Sequence, residues 1–197
     1  MENTQFSREE AADRALASKT NVPGTCQAMV RLWLGAPSAG DQDHDGDSDA
    51  VDGWKSEPVR FRHLGDRTPP RGVPMAWSGG SSGFGHRALS LGVNHKGVHL
   101  IRSTDMSEDG HYMPGVTGTV TFKQISTAMP ALRYTGWSET MDGLMIENDN
   151  PGASRGPKVE HALDDLSKAK GTGHRRTLIN RAEALLKKIR ILGRKKR

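Results

Sequence analysis

Apolar positions change their period along this chain, and the changes divide it into zones. Ser7 is followed three residues later by Glu10, and Ala11, Ala12, Ala15 and Leu16 continue at helical spacing behind that capping box. The pattern predicts a first helix that stops near Thr20. A Pro23-Gly24 turn then leads into a second helix from about Thr25 to Leu34. Met29, Val30, Leu32, Trp33 and Leu34 make it too apolar for a surface element, so it should be central and buried. From Gly35 to Gly72 the chain is polar and rich in Asp, Gly and Pro, with Val51, Trp54, Val59, Phe61 and Leu64 as the few core candidates. Short apolar or alternating runs follow at 73–77, 87–91, 98–102, 118–122 and 132–137, punctuated by Gly, Pro, Asn and Asp, and read as strands. Helices first and strands afterwards, without regular alternation, predict an α+β domain with an antiparallel sheet.

At residues 148–157 the composition becomes that of a linker, Asn-Asp-Asn-Pro-Gly-Ala-Ser-Arg-Gly-Pro. The expected organisation is a domain over 1–147, the linker, and a tail over 158–197. In the tail, Val159, Ala162, Leu163, Leu166 and Ala169 mark one amphipathic stripe, and Leu178, Ala182, Leu185, Ile189 and Leu192 a second. Gly171-Thr172-Gly173 separates them, which predicts a basic helical hairpin whose stripes pack on each other.

Charge follows the same division. Residues 153–197 carry 14 Lys/Arg against 4 Asp/Glu, a net of +10, and the first 152 residues carry a net of −5. A basic tail on an acidic body points to a polyanionic partner for the tail: nucleic acid, a membrane surface or an anionic wall polymer. No apolar run approaches the roughly 20 residues that span a bilayer. The N-terminal Met1-Glu2-Asn3-Thr4-Gln5-Phe6 has neither a basic start nor an apolar stretch, so synthesis without a signal peptide, in the cytoplasm, is expected.

Cys26 is the sole cysteine, which excludes intramolecular disulfides and any zinc site with two or more thiolates from this chain. It opens the second helix, where unpaired N–H groups and the helix dipole favour thiolate over thiol. Sixty residues on, His86 follows a Gly/Ser-rich stretch and stands at the mouth of an apolar strand. A cysteine opening a helix and a histidine opening a distant strand is the layout of a papain-like thiol hydrolase. Taken singly, a lone cysteine is more often a small buried hydrophobe, and a histidine at a strand edge is more often simply hydrogen-bonded.

Asp41, Asp43, Asp45, Asp47, Asp49 and Asp52 match the register of a calcium loop. Oxygen ligands fall at positions one, three, five, nine and twelve, Gly46 at six allows the sharp turn, and position seven contributes its carbonyl. Six carboxylates within twelve residues repel one another unless a cation collects them, so Ca²⁺ is expected. Asp52 at position twelve has a shorter reach than glutamate, which weakens bidentate binding or admits magnesium. His95 and His99 have zincin spacing but no intervening glutamate, and Gly79-Gly80-Ser81-Ser82-Gly83 lacks the Gly-Lys-Ser/Thr of a phosphate loop.

Gly24-Thr25-Cys26, then Pro70-Arg71-Gly72-Val73-Pro74-Met75-Ala76-Trp77, then Gly85-His86-Arg87-Ala88 and Ile101-Arg102-Ser103-Thr104-Asp105 resemble, in that order, the CHAP and NlpC-like cell-wall hydrolases. These are papain-like cysteine amidases and peptidases, and the resemblance covers about residues 5 to 140. It implies a thiolate at Cys26, a general base at His86 and a third polar residue on the next strand that orients the imidazole. Asp105 is the choice for that role because a carboxylate best stabilises an imidazolium, with Ser103 on the same strand face and Asn94 as alternatives. The resemblance also implies peptidoglycan as substrate and phage lysis as setting, with action on the host cell wall. Two features depart from the family: Arg87 stands where valine is usual, and the aspartate loop is an insertion.

The leading expectation is therefore a peptidoglycan hydrolase that cleaves an amide bond by a Cys/His mechanism. The alternative is a non-catalytic, calcium-ordered wall-binding or virion structural protein on the same fold. Nucleic-acid binding through the tail is a third reading, but 5% Phe, Trp and Tyr and an acidic body argue against extended base stacking.

Overall fold

The computed structural model describes residues 2–38, 40–42, 44 and 48–147. The linker at 148–157, the basic tail at 158–197, and Asp43, Asp45 and Asp47 lie outside the described residues.

A short strand, β1 (Asn3–Ser7), runs directly into helix α1 (Arg8–Ala17). The capping box forms: Ser7 N–H donates to Glu10 Oε2 at 3.0 Å and Glu10 N–H to Ser7 Oγ at 3.4 Å. Ala11, Ala12 and Ala15 are buried, and their small size lets the helix backbone approach its neighbours closely. α1 ends at Ala17, three residues before the expected stop, and an arginine from the sheet satisfies its last carbonyls. Buried Arg102 donates from Nε to Ala15 O at 3.0 Å and from Nη2 to Ser18 O, while its Nη1 meets Glu108 at 2.6 Å. Carbonyls at a helix C-terminus have no partner within the helix, so a buried guanidinium there completes them.

Helix α2 (Cys26–Leu34) buries Met29, Val30, Trp33 and Leu34, as its apolar sequence predicts. Gly35 ends it in the left-handed region (φ 66°), and a Cβ there would stand 2.5 Å from Gln5 Cβ, so β1 and α2 meet only over a glycine. The polar segment that follows holds a third helix, α3 (Ala50–Ser56), capped by Asp49 and Asp52, and a 3₁₀ turn at Val59–Phe61. Val59 and Leu64, expected in the core, are exposed.

The main sheet has six strands: β2 (Arg62–Leu64), β3 (Pro74–Gly79), β4 (His86–Val93), β5 (His99–Met106), β6 (Tyr112–Val120) and β7 (Leu132–Ser138). Their order is β2-β7-β3-β4-β5-β6, antiparallel throughout. The strand expected at 118–122 begins earlier, at Tyr112, and Phe122 instead opens helix α4 (Phe122–Ala128) behind a Thr121/Gln124 capping box. Strands β8 (Thr140–Met141) and β9 (Leu144–Glu147) complete a second, three-stranded sheet in which β9 pairs parallel with β1. They are joined by Asp142-Gly143 with φ of 50° and 82°, the two-residue turn that Asp-Gly favours. The fold is thus α+β. α1 and α2 pack on β4 and β5, and the core lies between them, with Val30, Trp33 and Leu34 sharing one cluster with Met75, Ala88, Leu89 and Ile101.

Candidate active site

A Pro-Gly turn places Cys26. Gly24 adopts φ 76°, Thr25 N–H donates to Val22 O at 3.2 Å, and Thr25 Oγ1 donates to the same carbonyl at 2.7 Å. The Thr25 hydroxyl is thereby turned away from the first turn of α2 and makes no capping hydrogen bond there. Cys26 follows as the first helical residue, half-buried. The backbone N–H of Arg87, the residue after His86, acts on the sulfur to favour thiolate.

His86 opens β4 directly opposite Trp77 on β3 and is almost wholly buried. Its ring lies 5.8 Å from the Trp77 ring, centroid to centroid. Nε2 is 2.9 Å from Ser103 Oγ. The strand register explains this contact: Ala88 pairs with Ser103, so Ser103 is the diagonal neighbour of His86 on the same sheet face. The Ser103 hydroxyl also donates to Thr104 O at 3.2 Å. A hydroxyl has one proton, so when it is given to that carbonyl the oxygen accepts from the imidazole. His86 is then the Nε2–H tautomer, and Nδ1 is left with its lone pair.

Asp105 takes a different role from the one expected. It sits two residues beyond Ser103, but its φ of 55° and a register shift between Thr104 and Met106 form a bulge that re-aims its side chain. Its carboxylate accepts Asn21 Nδ2 at 2.7 Å, Gly24 N–H at 2.9 Å and Gly115 N–H at 2.8 Å. Asp105 thus clamps the turn before Cys26, and the side chain hydrogen-bonded to the imidazole is Ser103. Asn94, at the far end of β4, accepts Lys96 and Val98 N–H and holds the β4–β5 turn.

Burial sets the protonation of both residues. It pushes the Cys26 thiol up, against the opposing pull of the Arg87 and Gln27 backbone N–H groups and with Asp105 adding to the rise. Burial also lowers His86 to about 4, with the nearby Asp105 charge opposing. The sequence places Cys26 where a helix favours thiolate, but desolvation outweighs that effect here. At neutral pH the resting pair is thiol and neutral imidazole.

Both residues line a cleft of about 1000 Å³, with Asp105 and Tyr112 on one side and the Gly79–Phe84 loop on another. Asp41 and Asp49 of the aspartate loop line the same cleft, so two motifs far apart in sequence border one cavity. Asp41 accepts His44 N–H at 2.6 Å. Asp49 caps α3 through Val51 and Asp52 N–H, and Asp52, wholly buried, accepts Gln42 N–H at 2.7 Å and Asp49 N–H at 3.1 Å. Among the described residues, no three His, Cys, Asp or Glu side chains converge on a common point.

Behind the cleft lies a buried polar network that the apolar pattern hides. Arg87 donates to Glu57 Oε1 at 2.6 Å and to Gln27 Oε1 at 3.0 Å. Arg31 pairs with Asp142 and donates to Ser48 at 2.8 Å, and Gln27 Nε2 donates to Asp142 Oδ1 at 2.8 Å. Glu57 also accepts from Thr140 Oγ1 and Asp142 N–H, and burial pushes its carboxyl up while Arg87 pulls it down. The sequence signs of this network are Arg31 within the apolar run of α2 and Arg87 within an apolar strand, where an arginine must find a buried partner. Comparison of the chain with family models, with curated proteins and with solved structures finds no match.

Proposed function

We propose that this chain is a papain-like cysteine hydrolase that cleaves an amide bond of peptidoglycan, in the setting of phage lysis. The observation that carries the reading is the placement on one cleft of a helix-opening thiol and an imidazole whose Nε2 is held by Ser103. Nδ1 of His86 takes the thiol proton as sulfur attacks the carbonyl, and returns it to the leaving amine. The Thr25 hydroxyl points away from the first turn of α2, which favours that turn's N–H groups as donors to the developing oxyanion. The choice of peptidoglycan rests on the sequence resemblance and on the basic tail, suited to anionic wall polymers. The test is digestion of purified walls followed by mass spectrometry of the released muropeptides. Wild type should release cleaved stem peptides, and Cys26→Ser, folded as wild type, should release none. Equal digestion by the two overturns the reading.

One observation favours a second reading, a non-catalytic wall-binding or virion protein: burial holds both Cys26 and His86 uncharged. Wall binding without any muropeptide release would select it.

We also propose a Ca²⁺ site in the aspartate loop, formed by Asp41, Asp43, Asp45, Asp47, Asp49 and Asp52. The hydrogen bond from Gln42 N–H, at the second position, to Asp52, at the twelfth, supports it by drawing the two ends of the loop together. Ca²⁺ should then raise Tm by mass action, and Asp41→Ala with Asp45→Ala should erase the rise. A wild-type Tm indifferent to chelator removes the site.

A further inference from the structure

The residues that immediately follow Cys26 and His86 are joined to each other. Arg87 Nε donates to Gln27 Oε1 at 3.0 Å, which ties helix α2 to strand β4 one residue beyond Cys26 and one beyond His86. The Gln27 amide has no freedom to turn. Its oxygen faces Arg87, its nitrogen donates to Asp142, and the backbone of Gly53 lies so close that a Cβ there would be 1.9 Å from Gln27 Nε2. Glu57 supplies the counter-charge, with both it and Arg87 fully buried.

We propose that Gln27 and Arg87 form a positioning clamp that fixes the start of α2, and with it the Cys26 thiol, to the start of β4 and sets the reactivity of that thiol. The proposal rests on the reading of Cys26 and His86 as nucleophile and base. Stability alone is a poor reason for this arrangement, because a buried ion pair is often no better than packed apolar side chains of equal volume. Among the described residues, moreover, buried Arg87 Nη1 has no hydrogen-bond partner, a further penalty that apolar side chains would avoid. What apolar side chains would not supply is a hydrogen bond locking α2 to β4 and a positive charge beside the thiol. Both the Arg87 charge and its backbone N–H act to favour thiolate, against the desolvation of Cys26.

The experiment is iodoacetamide alkylation of the full chain from pH 5 to 10, read by mass spectrometry. Cys26 is the only cysteine, so the signal has one source. Gln27→Met removes the clamp without changing charge, and Arg87→Met with Glu57→Gln removes the ion pair without stranding a carboxylate. In variants with wild-type circular dichroism, alkylation should be slowed about tenfold at each pH from about 6 to 9, the change expected of a thiol whose midpoint lies one pH unit higher. Arg87→Lys keeps a cation beside Glu57 and should also be slowed, because lysine does not reproduce the guanidinium fork. Profiles that superimpose on wild type overturn the clamp, and a wild-type profile for Arg87→Lys alone overturns its geometric part. Wall digestion is scored separately: wild type that digests nothing removes the hydrolase reading while the alkylation result still decides the clamp.

Discussion

A hydroxyl, where a carboxylate was expected, is the partner of the His86 imidazole, and this choice governs the acid behaviour of the site. Ser103 orients the ring but supplies no negative charge to stabilise an imidazolium, so burial prevails and lowers His86 to about 4. As pH falls, the unfolded chain takes up this proton near its ordinary 6.5, before the folded protein does. His86 therefore contributes stability fully above pH 6.5 and loses it between 6.5 and 4, about 3 kcal/mol over the window. Urea midpoints of wild type and His86→Gln should converge as pH drops from 7 to 4; parallel curves would show His86 titrating normally. The acid limb of kcat/KM on walls should likewise fall near pH 4, and a limb near 6.5 would contradict a buried neutral base. Asp105 and Ser103 should separate by phenotype. Asp105→Ala strands three donors and should lower stability by about 2 to 4 kcal/mol, whereas Ser103→Ala should lower kcat about tenfold with a smaller loss of Tm. Calorimetry with a turnover assay checks both. The alternating pattern of β5 put Ser103 and Asp105 on one face, and nothing in it announced the bulge that turns Asp105 toward the Cys26 turn.

Among the elements, those written in local chemistry were legible and those that depend on distant partners were not. The Ser7/Glu10 box predicts α1, and the apolar run predicts α2 to within a residue of its observed start. α3 escaped notice because its sequence, Ala-Val-Asp-Gly-Trp-Lys-Ser, has neither length nor periodicity, and only its Asp49/Asp52 caps make it a helix. β1 and β9 are short segments that become strands by pairing with each other across nearly the whole domain. Gly72 shows how tightly two elements meet. It has φ 78°, and a Cβ there would lie 2.1 Å from the carbonyl oxygen of Arg8, at the start of α1. Gly72→Ala should therefore destabilise by about 2 to 4 kcal/mol, since neither backbone can yield without moving β3 or α1. Equilibrium unfolding measures this, and a change below about 0.5 kcal/mol would mean that the two elements part readily.

For the whole molecule, charge separates what the fold does not. Residues 153–197 hold a net of +10 beside a body of −5. Deleting 153–197 should leave residues 1–147 folded and weaken co-sedimentation with purified walls at low salt, an effect that fades as ions screen attraction over roughly 10 Å. Equal binding by the shortened and full chains at low salt would assign the tail another role.

The parallel pairing of β1 with β9 carries a consequence for biosynthesis. Residues 3–7 leave the ribosome long before their sheet partner, 144–147, and Met145 N–H donates to Glu2 O at 3.0 Å. β1 in turn packs against α2, with Gln5 N–H donating to Gly35 O at 3.3 Å at the end of the helix that carries Cys26. A pairing of such high sequence separation closes late. The nascent chain thus exposes its thiol well before the strand pair that seats its helix can form, which must wait until residue 147 has cleared the exit tunnel.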